Sequence, residues 1–308
     1  MNDKPLYDIA IIGAGPAGLT AAVYALRDCK KVILFEKNIE GGQVLNTSSI
    51  VNIPGFSEIS GEEFISKMID QINSFDNTKE LLYTEYQEVL NIQKSSSHFE
   101  ITTETNEVFY ATSVVCATGS TYRTLKVPGE KELIGRGISF CSTCDAPFYK
   151  NKDVVVIGGG NSAMTEALEL SNFAKSVHIL QNLPSLTGSS DLIEKVQNNS
   201  KIIATFNVTV SGFAKDNGKI NVLVHKSGVE DLLTVSVDGV FIAIGLEPNN
   251  HYMRNIGTVN EQGYIESLVD GAYAAGDCKK ITANQVVVAC GSGAKAAIKA
   301  CRYLNSQK

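Results

Sequence analysis

The sequence holds no run of basic residues, and its 27 lysines and arginines are outnumbered by 33 acids, giving a net charge of −6. Neutralising a phosphate backbone takes clustered cations, so a nucleic-acid partner is excluded on composition. No low-complexity tract interrupts the 308 residues, and 44% of them are hydrophobic, as in ordinary globular chains long enough for two cores. Histidine is scarce. The four, His98, His178, His225 and His251, stand apart with no partner at metal-ligand spacing. The seven cysteines are an odd number spread along the chain, unlike a secreted disulfide framework. With no basic n-region and no cleavable leader at its start, the chain is expected in the reducing cytoplasm. Ile9 to Leu26 carries no charge and reaches the lower limit of a membrane span. Glycines and a proline in its first half make it a strand, turn and helix instead, so no membrane association is expected.

The glycines sit where they matter. GAGPAG, from Gly13 to Gly18, follows the apolar run Tyr7 to Ile12 and opens a helix expected over Pro16 to Arg27. A strand over Lys31 to Glu36 follows. Glycine permits the tight turn and the close approach of backbone to a pyrophosphate, which then rests on the positive helix end. Glu36, 23 residues past Gly13, supplies the acid for a ribose diol. The motif does not separate FAD from NAD.

The plan recurs at a constant offset of 145 residues: Asp8 with Asp153, Gly13 with Gly158, Glu36 with Gln181. The copy has a strand over Asp153 to Ile157, the loop GGGNSA, a helix expected over Ala163 to Phe173 and a strand over Ser176 to Leu180. A repeat this long is a domain. Gln181 replaces the acid, and no lysine or arginine lies between Lys175 and Lys195 to clamp a 2′-phosphate. The spacing thus predicts an α/β fold of two Rossmann-like three-layer nucleotide-binding domains. The second, 119–244, is inserted into the first, 1–118 with 245–308. The turn-rich connectors around Pro128 and Pro248 would lie side by side as a hinge. Val235 to Ile244 reads as one strand, and Gly271 to Asn305 as strand, loop and helix.

Between the two loops lies Cys141-Ser142-Thr143-Cys144-Asp145. Two thiols at this spacing close a reversible disulfide. A zinc site would need a second pair of ligands, and none is present in the sequence. A structural disulfide or two inert thiols are the other readings. The carboxyl of Asp145 favours redox use, because a departing thiolate needs a proton. Cys29, Cys116, Cys278, Cys290 and Cys301 lie singly in apolar segments and are expected to pack in the core.

CSTCD, AAGDC (Ala274 to Cys278), ATGS (Ala117 to Ser120), GGQ (Gly41 to Gln43) and VNIPG (Val51 to Gly55) together resemble the bacterial low-molecular-weight thioredoxin reductases, nearly end to end. The resemblance implies FAD in the first domain. Gly13, Gly15, Pro16 and Ala17 would hold the pyrophosphate, and Glu36 and Lys37 the adenosine side. Gly42, Gln43, Asn52, Thr118, Gly119, Asp277, Gln285 and Val286 would surround the remainder. It further implies a homodimer, an inserted domain that rotates on its connectors, and a thioredoxin-like partner. Cys144 would face the flavin, Cys141 would attack the partner, and Asp145 would be the acid. Gly158, Gly160, Asn161 and Ser162 would cradle NAD(P)H. Departures weigh on the donor: the family's basic stretch is here His178 to Pro184, and its flavin-side arginine is Asn284. Relatives without that stretch use ferredoxin or another donor. The alternatives are the same chemistry driven by NADH or ferredoxin, a flavoprotein of the alkyl hydroperoxide reductase type, and an FAD-binding redox sensor without turnover.

Overall fold

The computed structural model describes residues 5–47, 49–75, 81–84, 86–228, 231–280 and 283–307. Up to Tyr122 the chain forms β1 (Leu6–Ile12), α1 (Pro16–Arg27), β2 (Val32–Phe35), α2 (Gly61–Phe75), β3 (Leu81–Thr84), β4 (Val89–Lys94), β5 (Phe99–Thr103), β6 (Val108–Cys116) and β7 (Ser120–Tyr122). It continues through α3 (Glu130–Leu133), β8 (Ile138–Ser139), α4 (Ser142–Asp145), β9 (Asp153–Ile157), α5 (Asn161–Ser171), β10 (Ser176–Leu180), α6 (Ser190–Gln197), β11 (Ile202–Thr205), β12 (Val208–Asp216), β13 (Lys219–Lys226), β14 (Leu233–Val237) and β15 (Gly239–Ile242). It then returns through β16 (Leu246–Pro248), β17 (Gly257–Val259), β18 (Ile265–Leu268), β19 (Ala272–Ala274) and α7 (Val286–Ser306).

Two compact units result, parting after Thr121 and after Leu246. These points fall three and two residues beyond 118 and 244. The two crossing segments, β7 and β16, pair as a small sheet, which carries each crossing slightly further along the chain.

In the first unit the sheet runs β3-β2-β1-β6-β5-β4, with β19 added alongside β6. β1 pairs in parallel with both β2 and β6, and its residues from Ile9 to Ile12 are all buried. Covering on both faces explains the unbroken apolar run. One face packs on α1 and α7: Ile9, Ile11, Leu19, Ala22, Ala297 and Ala300 share a core. The small residues of these helices let them approach closely, and a Cβ added at Gly293 would lie 2.0 Å from the Ala17 carbonyl oxygen.

In the second unit, the parallel sheet runs β11-β10-β9-β15-β8, and β12-β13-β14 form a separate sheet. The run Val235 to Ile244 is therefore two strands, not one. Asp238 splits it: its N–H donates to the Asp153 carbonyl at 2.8 Å, and its Oδ2 accepts from the Asp153 N–H at 2.9 Å. The bend sends β14 to the antiparallel sheet and β15 to the parallel one. α5 begins two residues earlier than expected, because Gly160 already stands at its N-cap.

Among the described residues, no helix is long and apolar enough to cross a membrane.

Candidate active site

At the first loop, β1 delivers the chain into Gly13 at φ +102°, where a Cβ would lie 2.6 Å from the Ala117 carbonyl oxygen. Only glycine fits there. Gly15 caps α1 without a side chain and faces open space, with no atom within 4 Å of an added Cβ. Pro16 supplies the first helical residue and Ala17 the second, so the orphan N–H groups of the first turn are presented to that space. Glu36 follows β2. Its Oε2 accepts from the Ala14 N–H at 2.9 Å and its Oε1 from the Asn38 N–H at 3.0 Å. The carboxylate is thus fixed at the loop by backbone donors. A cleft opens beside it, lined in part by Gly13, Phe35, Glu36, Lys37, Gln87 and Tyr252. Lys37 Nζ stands 3.8 Å from Glu88 Oε1, and His251 Nε2 3.5 Å from the same atom.

The remaining first-unit residues come from far apart in sequence. Gly42, at φ +59°, opens a short 3-10 turn, and Gln43 Nε2 donates to the Ser120 carbonyl. Asn52 Nδ2 donates to Gln285 Oε1 at 3.0 Å across 233 residues. Gln285 stands at the N-cap of α7 without capping it, and Val286 begins the helix. Thr118 Oγ1 donates to the Asn249 carbonyl and lies 3.0 Å from the Tyr252 hydroxyl. Gly119 takes φ +65°.

Asp277 Oδ1, Gln87 Oε1 and Ser120 Oγ are buried with no hydrogen-bond partner among the described residues. Burial pushes the Asp277 carboxyl up, and a bond from Asn284 opposes that rise. Open space at Gly15, the orphan N–H groups that begin α1 and unpaired buried acceptors are what a dinucleotide would fill. The first unit fits FAD. Asn249, Tyr252 and Gln87 were not anticipated, since they belong to no motif and come together only in the fold.

The second unit carries the sulfurs. Cys141 and Cys144 form a disulfide with Cα atoms 5.3 Å apart. Cys141 caps α4: its Sγ accepts from the Cys144 N–H at 3.2 Å, and its carbonyl from the Asp145 N–H at 3.1 Å. Its own N–H donates to Ser139 Oγ at 3.1 Å. Burial pushes the Asp145 carboxyl up, against a lowering hydrogen bond with Ser139. The turn therefore sets an acid whose pKa is raised next to Cys144 in the chain. On α5, the Glu169 carboxylate accepts from Ser142 and Thr143, and Glu166 Oε2 is buried with no partner among the described residues.

At the second loop, Gly158 takes φ +124°, and a Cβ there would lie 2.5 Å from the Ala243 carbonyl oxygen. Gly160 caps α5 without a side chain, and Asn161 and Ser162 are exposed in its first turn. Yet the loop is tied to its own chain. Thr187 N–H donates to the Gly159 carbonyl at 2.8 Å, and Ser189 N–H to Asn161 Oδ1 at 2.7 Å. Gln181 is buried at 4% exposure, donating to the Ser185 carbonyl at 3.3 Å and accepting from the Asn182 N–H at 3.1 Å. A Cβ on Gly159 would meet Gln181 Nε2 at 2.4 Å, so the amide lies against the loop. His178 bonds Thr205 Oγ1 at 2.8 Å, and burial lowers its pKa.

Of the other cysteines, Cys116, Cys278 and Cys301 are buried. Burial pushes Cys116 up to about 12 and Cys278 to about 11. Cys290 is half-buried. Cys29 departs from expectation: it is exposed, in the left-handed region at φ 51°, because α1 ends at Arg27 before reaching it.

Known proteins are similar to this chain along nearly its whole length. Residues 7–296 match the model of the pyridine nucleotide-disulphide oxidoreductases. A thioredoxin reductase of Bacillus subtilis is 37% identical over 311 residues, covering 99% of this chain and 96% of its own. One from Listeria innocua is 34% identical over 314 residues, covering 100% of this chain and 97% of its own. The solved thioredoxin reductase of Streptococcus pyogenes superposes with a TM-score of 0.90 at 33% identity, covering 99% of this chain and 100% of that one. With a dinucleotide cradle in one unit and a CxxC disulfide in the other, and with similarity running from end to end, the chain belongs to the pyridine nucleotide-disulphide oxidoreductases, in the group of low-molecular-weight thioredoxin reductases.

Proposed function

We propose that the protein takes two electrons into the Cys141–Cys144 disulfide and passes them to the disulfide of a thioredoxin-like protein. The observation that carries this reading is the closed Cys141–Cys144 pair with an acid at its shoulder. FAD would be held by the N–H groups of Gly15 and Ala17 on either side of Pro16, by Glu36 and Lys37, and by Gln43, Asn52, Asp277 and the start of α7 at Gln285. When bound, it supplies a two-electron carrier able to reduce a disulfide. The chain's own residues do the rest. Opening the disulfide consumes two electrons and two protons and yields two thiols, and Asp145 delivers a proton to the departing sulfur. As a thiolate, Cys141 attacks the partner's disulfide, forming a mixed disulfide and freeing one partner thiol. Cys144 then attacks the Cys141 sulfur, which recloses the pair and releases the partner as a dithiol.

For the donor, the reading rests on the second loop. No lysine or arginine lies between Lys175 and Lys195, and Gln181 spends its amide on its own turn. A 2′-phosphate would find no cation there. Electrons then come from ferredoxin or another carrier rather than NADPH, with NADH as the remaining pyridine nucleotide. The reading includes a cytoplasmic homodimer, as the resemblance implies.

Anaerobic mixing of the flavin-loaded protein with NADPH, NADH and reduced ferredoxin separates the donors. Bleaching by ferredoxin alone is expected, and rapid bleaching by micromolar NADPH would refute the donor assignment. Cys144→Ser should keep its yellow flavin and lose thioredoxin reduction; retained turnover would refute the dithiol scheme.

A further inference from the structure

The two residues between the cysteines both carry hydroxyl groups, and both hydroxyls point to one atom. Ser142, 2% exposed, donates from Oγ to Glu169 Oε2 at 2.7 Å, and Thr143 Oγ1 donates to the same oxygen at 2.9 Å. Glu169 sits on α5, whose Ala163, Met164, Ala167 and Leu170 are buried in the core of the second unit. The turn is therefore clasped to a rigid helix at the two positions that govern the separation of the sulfurs. A carboxyl oxygen has lone pairs enough to accept two such bonds, as an amide oxygen also has.

A dithiol must stay close once its S–S bond has opened. The more firmly its sulfurs are held, the higher their effective concentration and the more reducing the couple. We propose that Glu169 is a positioning residue for the Cys141–Cys144 couple, holding the turn through Ser142 and Thr143 so that both redox states share one geometry. It acts through those hydroxyls, and the inference rests on the redox reading above. The half-reaction it tunes takes up two electrons and two protons as one S–S bond becomes two thiols.

The test equilibrates full-length, flavin-loaded protein with reduced and oxidised dithiothreitol, then counts free Cys141 and Cys144 by alkylation and mass spectrometry. In Glu169→Ala the equilibrium constant for disulfide closure should fall about tenfold, raising the potential by about 30 mV. Glu169→Gln keeps a carbonyl acceptor and should stay within about twofold of wild type. Ser142→Ala with Thr143→Ala should match Glu169→Ala, and combining all three should add nothing. An unmoved potential in Glu169→Ala, an equal shift in Glu169→Gln, or additive effects would each overturn the proposal. If Glu169→Ala fails to fold, as judged by circular dichroism, the hydroxyl variants decide alone, and an unchanged potential in them overturns it. A wild-type pair that neither equilibrates nor turns over would sink the redox reading with it. A cycling wild type with an unmoved Glu169→Ala sinks only the role of Glu169.

Discussion

Replacing Glu166 with glutamine should stabilise the protein, by an amount that depends on pH. The side chain lies on α5 with Oε2 buried and unpartnered. Burial, and then the nearby Glu169 carboxylate, push its pKa from 4.5 up to about 8. Because the folded value is raised, the native state holds a proton that the unfolded chain releases above pH 4.5. The associated stability is fully present below pH 4.5 and is lost as the pH rises through about 8. At about 1.4 kcal/mol per pH unit, the loss approaches about 5 kcal/mol by pH 8 and is about 3 kcal/mol at pH 7. Glutamine has nothing to release. Guanidinium denaturation of both proteins, followed by far-ultraviolet circular dichroism, should show the variant more stable by under about 1 kcal/mol at pH 5, with the gap widening to about 3 kcal/mol at pH 7. The infrared band of a protonated carboxyl at pH 7 should also vanish in the variant. A difference that stays constant from pH 5 to 8, or a variant less stable at pH 7, would refute the reasoning.

Gly13→Ala places a side chain at φ +102° and within 2.6 Å of a backbone carbonyl. It should weaken FAD binding at least tenfold by fluorescence titration, and native-like affinity would contradict the cradle. Asp145→Asn removes the proton source, so thioredoxin reduction should fall about a hundredfold while flavin absorbance stays intact. Brief alkylation of the oxidised native protein at pH 8 should label Cys29 and spare Cys116 and Cys278, whose pKa values near 12 and 11 leave almost no thiolate. Rapid labelling of either buried thiol, read by peptide mass spectrometry, would contradict their placement.

How much was legible in the chain depends on the range of each constraint. The bounds of α1, Pro16–Arg27, follow from glycines that a tight turn demands and a proline at the first helical turn. The 145-residue repeat likewise exposes both loops, because each is a local solution to one local problem. Where a partner is distant, the signal fades. Asn52 and Gln285 are polar residues in unremarkable settings until the fold joins them across 233 positions. The split at Asp238 escaped for the same reason: the bonds that bend the chain there go to Asp153, 85 residues earlier. Cys29 was misread although its neighbours Arg27, Asp28, Lys30 and Lys31 are charged and the helix ends two residues before it, both signs of an exposed turn.

The order in which the ribosome delivers these elements follows from one pairing. β19 joins β6 through Ala272–Val114, Tyr273–Val115 and Ala274–Cys116, and α7 then packs beside α1. Everything from Tyr122 to Leu246 is synthesised between these partners. The nascent amino-terminal segment must therefore wait, its sheet short of one strand and its helix short of a neighbour, while the later-born unit can finish folding first. The apolar surface of α1 that α7 covers in the finished fold stays uncovered throughout that interval.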